Sequence, residues 1–271
     1  MQVFVHGLGA FGPGFENWRD LQNLLAGHGG NDDALKAPKP AVIPANERRR
    51  APLAVRIAVE TASQAIAMSD IPATEAACVF ASGLGDTDLT DYMCKVLAGP
   101  DKQLSPTKFH NSVHNAAAGY WTIATHCRQP ANSIAGLGYS VSIALLEGMV
   151  QCITEQRPVL LAFYDTATSQ VLSRLFSNEQ AFGFAMLISP SDDTGLATRL
   201  DAKTVTLAQP KWPTLNTAQL EHLYAANPAA KSLCLAKALT AAPASKLSLP
   251  LSQGSALEID VKPCTAWMAA E

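Results

Sequence analysis

Apolar and polar side chains alternate over residues 2–6 (QVFVH), the period of a short strand, and Gly7-Leu8-Gly9 then reads as its end. From 16 to 27 the period becomes helical. Trp18, Leu21, Leu24 and Leu25 share one face, and Gly27 closes the segment. Residues 31–44, rich in Pro, Asp and Ala, read as a surface loop. A long Ala-rich helix is predicted over 53–68, with Ile57, Ala58, Thr61, Ala62 and Ile66 inward. The unbroken apolar run ACVFA at 77–81 has the texture of a strand buried on both faces; a turn at 82–86 and a helix at 89–97 follow. Beyond it come a small-residue helix over 114–126, a short strand at 133–135, an apolar helix at 141–154 and a central-type strand at 158–164. Two more strands are predicted at 182–188 and 198–207. Strands alternating with helices in this way imply an α/β fold built on a largely buried mixed sheet.

From Pro210 the texture changes. Pro210 and Pro213 punctuate a linker, helices are expected at 217–225 and 229–238, and 247–251 with 256–261 reads as a hairpin across Ser252-Gln253-Gly254-Ser255. The division expected is 1–208 as the main domain and 209–271 as a reduced segment packing on it. Hydrophobic residues make up 48% of the chain and charged residues 16%, a balance that calls for a large core or a large subunit interface. A net charge of −3 gives no reason to expect nucleic acid as a partner. The apolar runs fall short of the ~20 residues of a membrane span. Six scattered cysteines without a CxxC, and no signal peptide at Met1, point to free thiols in the cytoplasm.

Several motifs suggest chemistry. Gly7-Leu8-Gly9-Ala10-Phe11-Gly12 fits the dinucleotide fingerprint, but Pro13-Gly14 separates it from the next helix, and no acid-tipped strand follows at the right distance. A plain strand-to-helix turn is the better reading, and no cofactor is expected. His110 and His114 stand one helical turn apart without a third ligand, so no metal is expected either. Asn111, Ser112, His114 and Asn115 read instead as buried hydrogen-bonding groups at a packed helix start, where Ala116 to Gly119 let backbones approach. No G-x-S-x-G elbow occurs, and Ser140 and Ser142 would lie along a helix rather than at a tip. Cys94, Cys127 and Cys152 lack the helix N-terminus or histidine that activates a thiolate, and read as packing residues.

The order VFVHGLGAFG, VFASGLGD, LSPTKF, Ala118-Gly119, Ser133-Ile134-Ala135, PVLLAFYD and AFGFAMLISP resembles the β-ketoacyl synthase (thiolase-like) superfamily over roughly 3–207. Aligned forward from Ala118-Gly119 or backward from 158–162, the family's nucleophilic cysteine position falls on Gly138. The family's two catalytic histidines belong to its second half, and after Leu207 this chain carries only His222. The resemblance implies a thiolase-like half-fold, a mixed sheet layered with helices, whose second half is missing or reduced. It is similar to the N-terminal-domain-only chain length factors of aryl polyene ketosynthases. That implies a non-catalytic subunit pairing with a full-length ketosynthase and transiently with acyl carrier protein. On the same resemblance Leu89, Tyr92, Met93 and Val96, one apolar helical stripe, would floor the acyl tunnel at the interface with Gly138. Ordinary core packing accounts for the stripe nearly as well. Arg48-Arg49-Arg50 would meet the phosphate of a carrier-protein arm, or form a solvated charged turn. The alternative is a thiolase-fold acyltransferase or hydrolase with another nucleophile, such as Ser140 or Cys127.

Overall fold

The computed structural model describes residues 1–29, 36–193, 195–241 and 243–264. In chain order its elements are β1 (Gln2–Phe11), α1 (Trp18–Leu25), α2 (Ala45–Arg48), α3 (Leu53–Ala67), β2 (Ala77–Ala81), α4 (Thr87–Ala98), α5 (Pro106–His110), α6 (Ala116–Thr125) and β3 (Ala131–Ile134). There follow α7 (Ser140–Glu155), β4 (Val159–Asp165), β5 (Phe182–Ser189), β6 (Thr198–Thr206), α8 (Ala218–Ala226), α9 (Leu233–Thr240), β7 (Ser245–Pro250) and β8 (Ser255–Lys262). The strands form one eight-stranded sheet in the order β3-β2-β4-β5-β1-β6-β8-β7. The β3–β2 and β2–β4 pairs are parallel and the rest antiparallel.

Two helical layers enclose the first five strands. On one face Ile57 and Ala62 of α3 and Trp121 of α6 pack on Phe80, Leu160 and Leu187. On the other, α1, α7, α8 and α9 bury Val79, Leu161, Phe184 and Met186. Strands β2, β4 and β5 are buried at every position, which explains their continuous apolar sequences. With the 3-10 turn before it, α7 forms a 19-residue helical stretch of mean hydropathy 1.3, long and apolar enough to cross a membrane by composition. Half of that stretch is buried inside the protein, and α7 lies against β4 and β2 as a layer of the core.

The hairpin β7–β8 attaches through β6 to β1, so the chain after Pro210 continues the same sheet. Outward-facing residues of these added strands form ion pairs, across strands between Lys203 and Glu258 at 3.3 Å, Lys246 and Asp260 at 3.2 Å, and Lys262 and Asp201, and within β6 between Arg199 and Asp201. Arg199 and Lys262 together hold the Asp201 carboxyl below the usual range, led by the Arg199 hydrogen bonding.

Three expectations are corrected. β1 does not stop at Gly7 but runs on to Phe11. Its glycines lie under α3: a Cβ on Gly7 would stand 1.9 Å from the Ala65 carbonyl oxygen, and one on Gly9 2.1 Å from that of Thr61. They permit close packing of helix on strand, not a turn. At the start of α6 only Asn111 is buried; Ser112, His114 and Asn115 are exposed, and Asn115 makes no capping bond with its side chain. Nor is Gly119 a point of close approach, because a Cβ there meets nothing within 4 Å. The first part of the 31–44 loop lies outside the described residues.

Candidate functional site at the strand-to-helix elbow

Between β3 and α7 the chain turns through a 3-10 segment, Leu137–Tyr139. Gly138 lies in this bend, and a Cβ built on it meets nothing within 4 Å. A side chain would fit here, and none is present. The bend is held by Ser140, whose Oγ accepts from the Gly136 amide at 2.9 Å and donates to the Leu137 carbonyl at 2.8 Å. Ser140 is buried and fully engaged. Leu137 takes a positive φ of 48°, and its side chain is 56% exposed.

Behind the bend stands a polar hub. Asp165 ends β4, almost wholly buried. Its Oδ1 accepts from Ser82 Oγ at 2.6 Å and the Leu84 amide at 3.0 Å; its Oδ2 accepts from the amides of Gly83 at 3.0 Å and Ala229 at 3.1 Å. Burial pushes its carboxyl above the usual range, and these four donors oppose that shift. The hub joins the turn after β2 to the segment before α9. Asn227 adds to it by donating to the Gln180 carbonyl at 3.0 Å. Gly83 is required at the crossing: a Cβ would lie 2.6 Å from Pro228 Cβ and 2.9 Å from the Leu137 carbonyl oxygen.

An open groove of about 600 Å³ runs between α4, the start of α3 and α5, and Leu89, Tyr92, Lys108, Arg49 and Arg50 are among its lining residues. A recess of about 230 Å³ continues from it past Leu89 and Asn111 to His114 and Tyr164. Asn111 donates through Nδ2 to the Arg50 carbonyl at 3.0 Å, while its Oδ1 has no hydrogen-bond partner. Asp86 caps α4 by accepting from the Leu89 amide at 2.9 Å, and burial raises its carboxyl above the ordinary value.

Of the stripe expected on α4, Leu89 and Tyr92 line this groove, whereas Met93, Val96 and Gly138 are outside its lining. Only Thr87 and Leu89 of the helix are buried; Tyr92, Met93 and Val96 are half-buried and Leu97 is 50% exposed. Leu89 is thus the buried end of the stripe, and its other three members are only partly covered. Lys108 Nζ lies 3.5 Å from the centroid of the Tyr92 ring, a cation–π contact at the rim.

None of the six thiols lies in the bend. Cys78, Cys152 and Cys234 are buried in β2, α7 and α9, and burial pushes each thiol up to about 12. Cys127 is buried with Sγ donating to the Ala76 carbonyl at 3.4 Å. Cys94 is exposed on α4, and Cys264 lies just past β8. His222 stands on α8, largely exposed, 3.9 Å from Glu179. The Asp165 hub is not among the sites expected from sequence; the acid closing the apolar run PVLLAFYD is its only signal there.

Comparison with known proteins adds to this geometry. The protein aligns with one chain of the ketosynthase ApeO in complex with its chain length factor ApeC from Xenorhabdus doucetiae. That match has 16% identity and a TM-score of 0.68, covering 96% of this chain and 99% of that one. A chain of the ishigamide ketosynthase/chain length factor aligns at 11% identity and a TM-score of 0.66 over 97% and 100%. A chain of AntDE:AntF, a type II polyketide acyl carrier protein in complex with its ketosynthase, aligns at 11% and 0.70 over 97% and 99%. These likenesses show the thiolase-like ketosynthase fold. No curated protein sequence matches the chain. The family described as "Beta-ketoacyl synthase, N-terminal domain" matches residues 18–232, well over half of the length, so the chain belongs to the β-ketoacyl synthase N-terminal domain family.

Proposed function

We propose that the protein is a non-catalytic ketosynthase-like subunit, a chain length factor, that pairs with a full ketosynthase and shapes its acyl tunnel in polyene or fatty-acyl synthesis. The observation that carries this reading is Gly138: the elbow is built and stabilised, with room for a side chain, and holds no nucleophile. A condensing enzyme needs a thiolate there and donors for the thioester oxyanion.

The α4 stripe fits the same reading. Leu89 and Tyr92 border the groove, and Met93 and Val96 extend their apolar face towards solvent, where a partner would complete the tunnel wall. Arg49 and Arg50 at the groove's edge suit the phosphate of a carrier-protein arm. Three of the similar solved structures pair a ketosynthase with a chain length factor or a carrier protein, which supports this reading.

The test is co-expression with a full, cysteine-bearing ketosynthase from the same organism, followed by native mass spectrometry and a condensation assay. The expected result is a stable complex, with condensation only when the ketosynthase cysteine is intact. Intact-mass measurement after incubating the isolated chain with an acyl thioester examines the acyltransferase reading. A covalent adduct on Ser140 or Cys127 would overturn the proposal; the hydrogen bonds that occupy both side chains argue against one.

A further inference from the structure

The recess behind Leu89 holds two polar groups without partners. Tyr164, near the end of β4, is only 4% exposed and lines the recess together with Asn111. Among the described residues its hydroxyl has no hydrogen-bond partner, which is unusual for a buried tyrosine. Burial, with Asp165 adding to it, pushes that hydroxyl above its ordinary range, so it stays protonated and can donate at neutral pH. Asn111 is committed through Nδ2 to the Arg50 carbonyl, and its buried Oδ1 is left open. The other hydroxyls of the recess are spent: Thr90 donates to the Asp86 carbonyl at 3.0 Å and Ser112 to that of Phe109 at 2.7 Å. One open donor and one open acceptor suit a group that offers both counterparts. A secondary amide does, its carbonyl accepting from Tyr164 and its N–H donating to Asn111. Outward, the groove has apolar walls at Pro52, Leu53 and Leu89 and cations at Arg49, Arg50 and Lys108, with the acid Asp88 also in its lining. Arg49 has no ion pair among the described residues, and Arg50 meets Glu47 only at 3.7 Å, both side chains being exposed. Tyr164 packs on the α3 and α6 face of the sheet, whereas Val141 and Ala144 of α7 pack on the other. The recess and the helix that starts at the Gly138 bend therefore lie on opposite faces.

We propose that recess and groove form one binding site for a phosphate ester whose chain carries a secondary amide, the chemistry of a phosphopantetheine arm. The amide enters between Tyr164 and Asn111, the aliphatic chain follows the apolar walls, and the phosphate meets Arg49 and Arg50. For its partner the site rests on the proposed carrier-protein contact, and it holds the arm without any nucleophile.

The test is calorimetric titration of the full chain with phosphopantetheine, pantetheine and adenosine monophosphate, with thermal melting of each variant. Phosphopantetheine is expected to saturate the wild type, and pantetheine to bind at least tenfold more weakly. Tyr164→Phe keeps the ring that packs edge-on against Phe80, so it should melt no lower than the wild type while binding phosphopantetheine at least tenfold more weakly. Replacing Arg49 and Arg50 together by alanine should weaken phosphopantetheine tenfold and leave pantetheine within threefold. Leu207→Ala, just past β6, should bind as the wild type does. No saturation at millimolar phosphopantetheine would mean that Tyr164 and Asn111 hold water only, and would overturn the site. Wild-type affinity in Tyr164→Phe, or adenosine monophosphate binding as tightly as phosphopantetheine, would overturn it too. Coenzyme A and holo- against apo-carrier protein separate the sources: preference for the holo form assigns a carrier-bound arm, coenzyme A bound without that preference assigns a free one, and either supports the site. A chain that binds phosphopantetheine but pairs with no ketosynthase would remove the proposed pairing and leave the site standing; the reverse would remove the site alone.

Discussion

Replacing Gly9 by alanine inserts one carbon between β1 and α3, where helix and strand already touch. The new Cβ would stand 2.1 Å from the Thr61 carbonyl oxygen and 2.9 Å from Gln64 Cβ. Ordinary contact needs about 3.5 Å, so the helix must lift by about 1.5 Å or the strand must bow. Neither neighbour is a flexible side-chain tip, since the nearest atom is helix backbone. Lifting α3 loosens the seam in which Ile57, Ala58 and Ala62 pack on the sheet, and strains the bond from the Ala10 amide to Gln64 Oε1 at 3.0 Å. Overpacking costs about 1–3 kcal/mol where side chains can yield; with backbone on both sides, about 3 kcal/mol or more is expected. At an m-value of about 3 kcal/mol/M, the urea midpoint should fall by about 1 M. Gly7→Ala, with its Cβ 1.9 Å from the Ala65 carbonyl oxygen, should fall at least as far. Gly119→Ala in α6, where a Cβ meets nothing, should instead gain about 0.5–1 kcal/mol from helix propensity. A Gly9→Ala midpoint within about 0.2 M of the wild type would refute the packing argument, taking that m-value.

Two further outcomes test the site. Gly138→Cys should fold with stability within about 0.5 kcal/mol of the wild type, as surface changes do. At pH 8 iodoacetamide should then label Cys94 and the new thiol, while Cys78, Cys152 and Cys234, whose thiols are pushed up to about 12, react only after unfolding; peptide mapping reads this directly. Asp165→Asn turns an amide towards N–H donors that now find an oxygen, and should cost about 2–4 kcal/mol by thermal melting. A loss below about 0.5 kcal/mol, the range of neutral surface changes, would show that the hub is not structural.

Hydrophobic period places most of the elements. α3, β2, β4, β5 and the β7–β8 hairpin follow their apolar patterns to within a residue or two, because burial on one or both faces wrote those patterns. β1 reads short from sequence because a glycine needed for close packing and a glycine needed for a turn are the same letter. The short helices α2 and α5 have too few residues to show a period, although Ser105 capping α5 with Pro106 behind it is a start signal. At the site, the elbow's position is legible from flanking segments. The Asp165 hub is not, since its donors Ser82, Gly83 and Ala229 come from distant parts of the chain. The positive φ at Leu137 is hidden too, because two adjacent glycines are the natural candidates for it.

The charged ladder on β6, β8 and β7 has a consequence for how this architecture enlarges. Its lysines and acids neutralise one another in rows, so the outer surface of the three added strands is already compatible with water. Extra strands could therefore join the β1 side with helical cover on only one surface. Lengthening at that margin requires half the apolar shielding that strands covered on both faces demand.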